Sequence, residues 1–290
     1  MNVKELSTKA EITWCPGCTN YGILSAAKRA IVELVNNKKI DVKKVTIVTG
    51  IGCHAKIYDY LNVNGFYGIH GRVLPIAFGI KLANPELTVI GFGGDGDTYA
   101  EGVSHFVHAC RYNADMVMIV HNNQVFSLTT GQMTPTSEVG YKGRSTPLGV
   151  KEKPLNPVAL ALINGATFVA RGFALDVRHL TKLIEEAIEH KGFAFIDTLQ
   201  PCLIYHDTSA YFKEHIYKLE ETGHDTSNYE DALKRALEWD YCLNENVKIP
   251  IGVFYKVKKP TYGEQWPQLR KPFYMVKRKV NWEHVISEFR

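Results

Sequence analysis

Five short runs of β-branched and other apolar residues, at 45–49, 88–92, 116–120, 167–170 and 193–198, limit what this chain can become more than anything else in it. Each is apolar throughout, as a strand must be when both faces of its sheet are covered. The longer stretches 23–35, 73–82, 99–112, 157–163 and 177–190 carry apolar residues three and four apart, as on one face of a helix, with Asp176 placed to cap the last. Strand and helix in turn predict repeated βαβ units: an α/β fold with a mostly parallel central sheet and helices on both faces. The 290 residues suffice for one large unit of this kind, and 45% apolar against 22% charged residues excludes a disordered or fibrous chain.

Two stretches break the rhythm. Residues 132–157, with Gly140, Gly143, Gly149 and prolines at 135, 147, 154 and 157, lack apolar periodicity and read as an extended loop. From residue 205 the chain turns to Lys, Glu, Tyr and Trp, with one helix expected at 229–241 and an apolar run at 249–255. The expected division is therefore 1–204 as the ligand-binding domain and 205–290 as a C-terminal extension packed on the core or on a partner subunit. The basic cluster Arg270, Lys271, Lys277, Arg278 and Lys279 reads as solvated surface. A net charge of +4 is too small for a nucleic-acid partner. No run approaches the roughly 18 apolar residues of a membrane span, and the first residues lack a signal peptide's apolar core, so a cytoplasmic location is expected.

Ligands of open parallel sheets bind beyond the carboxyl ends of the strands. There the chain places Gly50-Ile51-Gly52-Cys53, Gly93-Gly94-Asp95-Gly96-Asp97, His121-Asn122-Asn123 and Pro201-Cys202, all expected to face one crevice. The glycine-aspartate segment opens a helix, so its N–H groups can hold a phosphate. Asp95 and Asp97 would repel that phosphate unless a hard cation lay between, and Mg2+ bound by one carboxylate, an amide oxygen and diphosphate oxygens meets the need. Asn123, 28 residues after Asp95, supplies the amide. Either motif alone is a common turn; the pair carries the weight. A calcium loop fails because Ala100 and Phe106 occupy its glycine and glutamate positions, and the Gly-x-Gly-x-x-Gly of a dinucleotide site is absent.

Six cysteines are too few for a disulfide framework, and clustered thiols in a reducing compartment point to metal, cluster or redox chemistry. Trp14-Cys15-Pro16-Gly17-Cys18 has the form of a dithiol redox pair, whose thiol pKa a following helix would lower. Cys53 and Cys202 also fall at strand ends, however, and four thiolates suit zinc or an iron-sulfur cluster by count. The third and fourth cysteines stand alone, without a second C-x-x-C or a histidine pair, which favours a cluster. Cys110 and Cys242 fall in helical patterns and read as inert core residues. His105 and His108, without H-E-x-x-H, read as structural or surface residues.

Taken in order with His70-Gly71-Arg72, Asn122-Asn123-x-Val125, Thr130-Gly131-Gln132 and Gln200-Pro201-Cys202, these motifs resemble the β subunit of the 2-oxoacid:ferredoxin oxidoreductases. The likeness spans nearly the whole chain and is closest to the archaeal two-subunit type, including Ser145-Thr146-Pro147-Leu148-Gly149 and residues 153–161. It implies the diphosphate-binding half of the thiamine-diphosphate fold, with Mg2+ on Asp95, Asn123 and the Val125 carbonyl. Thiamine diphosphate would lie against Ile51, Gly52, Cys53, His54, Gly96, Asp97, Leu128 and Thr129, with His70 beside it as a polar active-site group. A 4Fe-4S cluster would sit on Cys15, Cys18, Cys53 and Cys202. The implied reaction is decarboxylation of a 2-oxoacid at the thiazolium, with electrons passing through the cluster to ferredoxin and coenzyme A taking the acyl group. An α subunit would supply the glutamate that activates the aminopyrimidine and most contacts to the substrate. Thr19-Asn20, Thr130 and His206 depart from the family's usual pattern. The competing readings are a non-oxidative thiamine-diphosphate decarboxylase subunit and a dithiol redox protein using Cys15 and Cys18.

Overall fold

The computed structural model describes residues 1–276 and 279–290. In chain order the strands are β1 (Val45–Thr49), β2 (Asn64–Tyr67), β3 (Thr88–Gly94), β4 (Met116–Asn122), β5 (Val125–Phe126), β6 (Gln132–Met133), β7 (Phe168–Phe173), β8 (Phe193–Leu199), β9 (Ile216–Lys218) and β10 (Ile249–Lys256). Eight of them form one sheet in the order β2-β1-β3-β4-β8-β7-β10-β9, and β5 and β6 make a small separate hairpin. All neighbours are parallel except β10, which runs antiparallel to β7. The helices are α1 (Asn20–Asn36), α2 (Ile57–Tyr60), α3 (Val73–Ala83), α4 (Val103–Tyr112), α5 (Pro157–Ile163), α6 (Val177–Glu189), α7 (Ser209–His215), α8 (Tyr229–Ala236) and α9 (Trp282–Ser287). Among the described residues no helix is long and apolar enough to cross a membrane.

Strand side chains alternate between two cores, one on each face of the sheet. In β8, Ala194 and Ile196 join Ile23, Ile31, Leu180 and Ile184 of α1 and α6, while Phe193 and Phe195 join Phe106 of α4 and Val158 of α5. Phe106 meets Phe195 edge-on with ring centroids 4.8 Å apart, and burying each such ring is worth on the order of 2–3 kcal/mol. Asp176 caps α6 by accepting from the His179 amide, as the sequence leads one to expect.

Several boundaries differ from the sequence reading. β3 and β4 each run two residues past their expected ends, so Gly94 and Asn122 still belong to the ladder. The helix expected at 99–112 is instead a π-helical segment, Gly96–Glu101, followed by α4. They part at Gly102, where an added Cβ would lie 2.8 Å from the Gly71 carbonyl oxygen. The helix expected at 229–241 stops at Ala236. Tyr241 takes a left-handed φ of 65°, and its ring stacks on Trp239 with centroids 4.2 Å apart. Cys242 therefore lies outside any helix and half-buried, contrary to the helical reading, whereas Cys110 is buried within α4. β2 was not foreseen because all four of its residues are exposed and its Asn-Gly start has no strand signature. Of the basic cluster, Arg270, Lys271 and Lys279 are exposed; Lys277 and Arg278 lie outside the described residues.

The segment after residue 204 does not stand apart from the sheet, since β10 and β9 extend it. A buried polar knot ties it in. Arg171 of β7 donates to the Pro250 carbonyl (3.0 Å) and to the Tyr241 hydroxyl (2.9 Å), and its guanidinium lies over the rings of Trp239, Tyr241 and Phe254. Asp197 of β8 accepts from Tyr241 (2.6 Å), Tyr99 (2.9 Å) and Asn122 (3.0 Å). Both charges are fully buried and 3.7 Å apart.

Candidate active site

After β1 the chain turns to β2 on one side, while β3 lies on the other, so a crevice opens at the carboxyl ends of β1 and β3 where the strand order reverses. One cavity there is lined by every residue expected around cofactor and cation: Ile51, Gly52, Cys53, His54, His70, Asp95, Gly96, Asp97, Asn123, Val125, Leu128 and Thr129. Gly94 and His121, expected at the strand ends facing the crevice but given no role there, complete the wall with Phe126 and Ser127. Phe126 and Ser127 were not singled out by sequence, because neither carries a chemical signature. The glycines are needed sterically. A Cβ on Gly96 would come within 2.1 Å of the Phe126 ring, and one on Gly50 within 2.2 Å of the Asp97 carboxylate.

Two carboxylates two residues apart are treated in opposite ways. Asp97 accepts from His70 Nδ1 (2.6 Å) and from the amides of Gly71 (2.8 Å) and Ile51 (3.3 Å), with His54 Nε2 3.7 Å from its other oxygen. Burial pushes its pKa up, but these partners more than offset that and hold the carboxyl below the usual range. The same hydrogen bond raises the pKa of His70. Burial, opposed by Asp97 and helped by His70, drives His54 down to about 4, so it is neutral. Asp95 is also fully buried but accepts only neutral donors among the side chains, Thr134 (2.6 Å) and Thr136 (3.1 Å), and burial pushes it up to about 7. Among the described residues no cationic side chain pairs with it. Asn123 stands across the cavity; its Nδ2 donates to Gln200 (2.9 Å) and its oxygen accepts from the Val125 amide (3.2 Å).

Cys15 and Cys18, ahead of α1, are gathered beside this cavity with Cys53 and Cys202 from the ends of β1 and β8. Gly17, at φ 75°, lets the Cys18 amide close a turn onto the Cys15 carbonyl (3.0 Å). The Trp14 indole donates to the Cys53 carbonyl (2.7 Å), fixing the N-terminal pair to the β1 end. Cys202 is held by two backbone hydrogen bonds with His206, whose ring nitrogen meets Glu138 at 2.9 Å. Burial pushes the Cys18 thiol up to about 11, and the Cys15, Cys53 and Cys202 thiols add to that. Burial likewise raises Cys53. Among the described residues no three His, Cys, Asp or Glu side chains converge as ligands of a single ion.

Thr130 adopts φ 81°, a left-handed conformation rarely tolerated by a β-branched residue. Its amide donates to the Ser127 carbonyl (3.2 Å), closing the loop that carries Leu128 and Thr129. His105 and His108 lie on α4, partly buried and exposed respectively, away from the crevice.

The thiamine pyrophosphate enzyme family, in its C-terminal TPP binding domain, matches residues 50–198, and the family of the C-terminal part of pyruvate ferredoxin oxidoreductase β chains matches 205–271. The 2-oxoacid:ferredoxin oxidoreductase subunit beta of Saccharolobus solfataricus is 45% identical over 274 residues, covering 90% of this chain and 87% of that one. The 2-oxoglutarate synthase subunit KorB of Methanocaldococcus jannaschii is 33% identical, covering 88% and 92%. A solved 2-oxoglutarate:ferredoxin oxidoreductase from Magnetococcus marinus, with 2-oxoglutarate, coenzyme A and succinyl-CoA bound, superposes with a TM-score of 0.89 at 32% identity, covering 100% of this chain and 96% of that one.

Proposed function

The chain belongs to the 2-oxoacid:ferredoxin oxidoreductase β-subunit family, and from that premise we propose how its crevice works. It is one subunit of a heteromeric oxidoreductase that has a partner subunit and binds thiamine diphosphate. In our reading, Mg2+ is held by Asp95, the Asn123 amide oxygen and the Val125 carbonyl, and thiamine diphosphate lies against Ile51, Gly52, Cys53, His54, Gly96, Asp97, Leu128 and Thr129. Cys15, Cys18, Cys53 and Cys202 hold a 4Fe-4S cluster. The reaction is coenzyme A-dependent oxidative decarboxylation of a 2-oxoacid in the cytoplasm, with ferredoxin as the electron acceptor.

Asp95 carries this reading. A carboxylate fully buried at a cavity wall, with no cation among its partners in the described residues, is costly when ionised and is served by a hard cation with oxygen ligands. Four cysteines whose third and fourth members bring neither a second C-x-x-C nor a histidine pair favour a cluster over zinc. When bound, thiamine diphosphate supplies the carbanion that releases CO2 from a 2-oxoacid, and the cluster takes electrons one at a time. The protein's part is placement. Asp97 orients His70 and keeps a proton on its Nδ1; Ile51, Phe126 and Leu128 give the cavity an apolar wall, of which Ile51 and Leu128 stay exposed in the single chain. Residues 1–204 thus carry the cofactors and 205–290 brace them. The glutamate that activates the aminopyrimidine and most substrate contacts would come from the partner.

The test is iron, sulfide, Mg2+ and thiamine diphosphate content of the complex purified without oxygen, followed by ferredoxin reduction with 2-oxoacids and coenzyme A. About four irons and four sulfides per chain, and acyl-CoA formed only with a low-potential acceptor, are expected. Zinc in place of iron, aldehyde as the sole product, or full activity without the cluster overturns the reading.

A further inference from the structure

Thr19, one of the departures from the family pattern, sits at the head of a chain of oriented hydrogen bonds. Its hydroxyl has one proton, donated to the Pro201 carbonyl at 2.7 Å. Toward Gln200, 2.6 Å away, that oxygen can therefore only accept, so the Gln200 NH2 must face Thr19. The same NH2 lies 3.2 Å from the Pro201 carbonyl, a second acceptor that agrees with this orientation. The Gln200 amide oxygen is thereby turned to Asn123, where it can only accept, and it meets Asn123 Nδ2 at 2.9 Å. Asn123 must then present its oxygen, not its NH2, to the side where Val125 and Asp95 line the cavity. All three side chains are buried, Thr19 at 2%, Gln200 at 1% and Asn123 at 8% exposure, so water offers little alternative pairing.

We propose that Thr19 and Gln200 are positioning residues that set the orientation of the Asn123 amide, so that the segments bearing Cys18 and Cys202 also determine whether the crevice can bind a divalent cation. The inference rests on the cation reading above. A reversed Asn123 would aim a donor at the cation, replacing an attraction with a repulsion. Without the Thr19 hydroxyl, the Gln200 NH2 loses the closer of its two acceptors and keeps only the Pro201 carbonyl at 3.2 Å, so the orientation it passes to Asn123 is held less firmly. Thr19 is thus coupled to the cation through two side chains, with no contact of its own.

The experiment uses the complex with its partner subunit, purified without oxygen, as wild type, Thr19→Val, Thr19→Ser and Gln200→Met. Two quantities are read: the Mg2+ concentration at which half the thiamine diphosphate is retained in equilibrium dialysis, and the iron content of each chain. Thr19→Val and Gln200→Met are expected to raise that Mg2+ concentration by about tenfold or more, the usual effect of losing a residue that orients a metal ligand. Iron content should stay at the wild-type level, and Thr19→Ser, which keeps the hydroxyl, should stay within about twofold of wild type. A Thr19→Val complex with the wild-type Mg2+ requirement overturns the inference. So does one that loses iron in step with Mg2+, because Thr19 would then serve only the cysteine turn. A wild-type complex that retains thiamine diphosphate without Mg2+ overturns the cation reading itself, and this inference falls with it.

Discussion

Asp95 and Asp97 show how far the surroundings separate two identical side chains. Asp97 is held ionised by the hydrogen bonds it accepts from His70 and two amides, while Asp95 has only hydroxyls among its side-chain partners and is pushed up to about 7 by burial. Asp95→Asn keeps the shape and removes a buried charge. It is expected to abolish Mg2+-dependent retention of thiamine diphosphate without lowering the urea midpoint of the metal-free protein. Thr130 is a second peculiar position. Its φ of 81° costs roughly 1–2 kcal/mol for an L-residue with a side chain. Thr130→Gly should recover about 1 kcal/mol of that in urea unfolding, the residual cost being the extra freedom glycine has in the unfolded chain.

Elements meet at the end of the sheet opposite the crevice through a histidine. His190, which ends α6, meets the Thr167 hydroxyl at 2.8 Å, and Thr167 donates to Asn113 Oδ1 at 2.6 Å. Thr167 has spent its proton, so His190 Nε2 is the donor. Asn113, in a left-handed turn after α4, also accepts from the Phe193 amide that starts β8 (2.9 Å). Burial, helped by Lys256 and opposed by Asp115, lowers His190 from 6.5 to about 4. Between those values the unfolded chain binds a proton here that the folded chain does not. The stabilising contribution is therefore complete above about pH 6.5 and is lost as pH falls toward 4. His190→Gln, which can still donate to Thr167, should show a shallower fall in urea midpoint between pH 7 and pH 5 than wild type does.

Across the full chain, the Arg171–Asp197 pair helps tie the C-terminal segment to the cofactor half through Tyr241 and Pro250. Removing one partner of a buried pair leaves the other charge uncompensated, at a cost of about 3–5 kcal/mol. Arg171→Met should lose about that much stability to urea. Because Asp197 also accepts from Asn122, the neighbour of Asn123, the variant should release thiamine diphosphate before the chain unfolds. Loss of stability with unchanged cofactor retention would confine the pair to a bracing role. The exposed Phe66, Tyr67, Ile69 and Leu148 leave apolar surface uncovered in the single chain, in keeping with a subunit of a larger enzyme.

The five apolar runs and their amphipathic spacers made the parallel sheet readable, because a strand covered on both faces and a helix covered on one leave different periods in the residues themselves. Cys53, Asp95, Asn123 and Cys202 were legible for a related reason: strand ends in such a sheet face one crevice, and these residue types at those ends are uncommon; Cys15 and Cys18 were legible from their C-x-x-C spacing alone. Other features left no such trace. That Asp97 is paired and Asp95 is not depends on where His70 comes to lie. Thr19 reaches Gln200 across 181 positions of chain, and Tyr241, beyond the end of α8, meets an arginine on β7. Local spacing records the propensity of a segment, whereas which buried charge is neutralised, and by what, is decided by groups brought together only when distant segments pack.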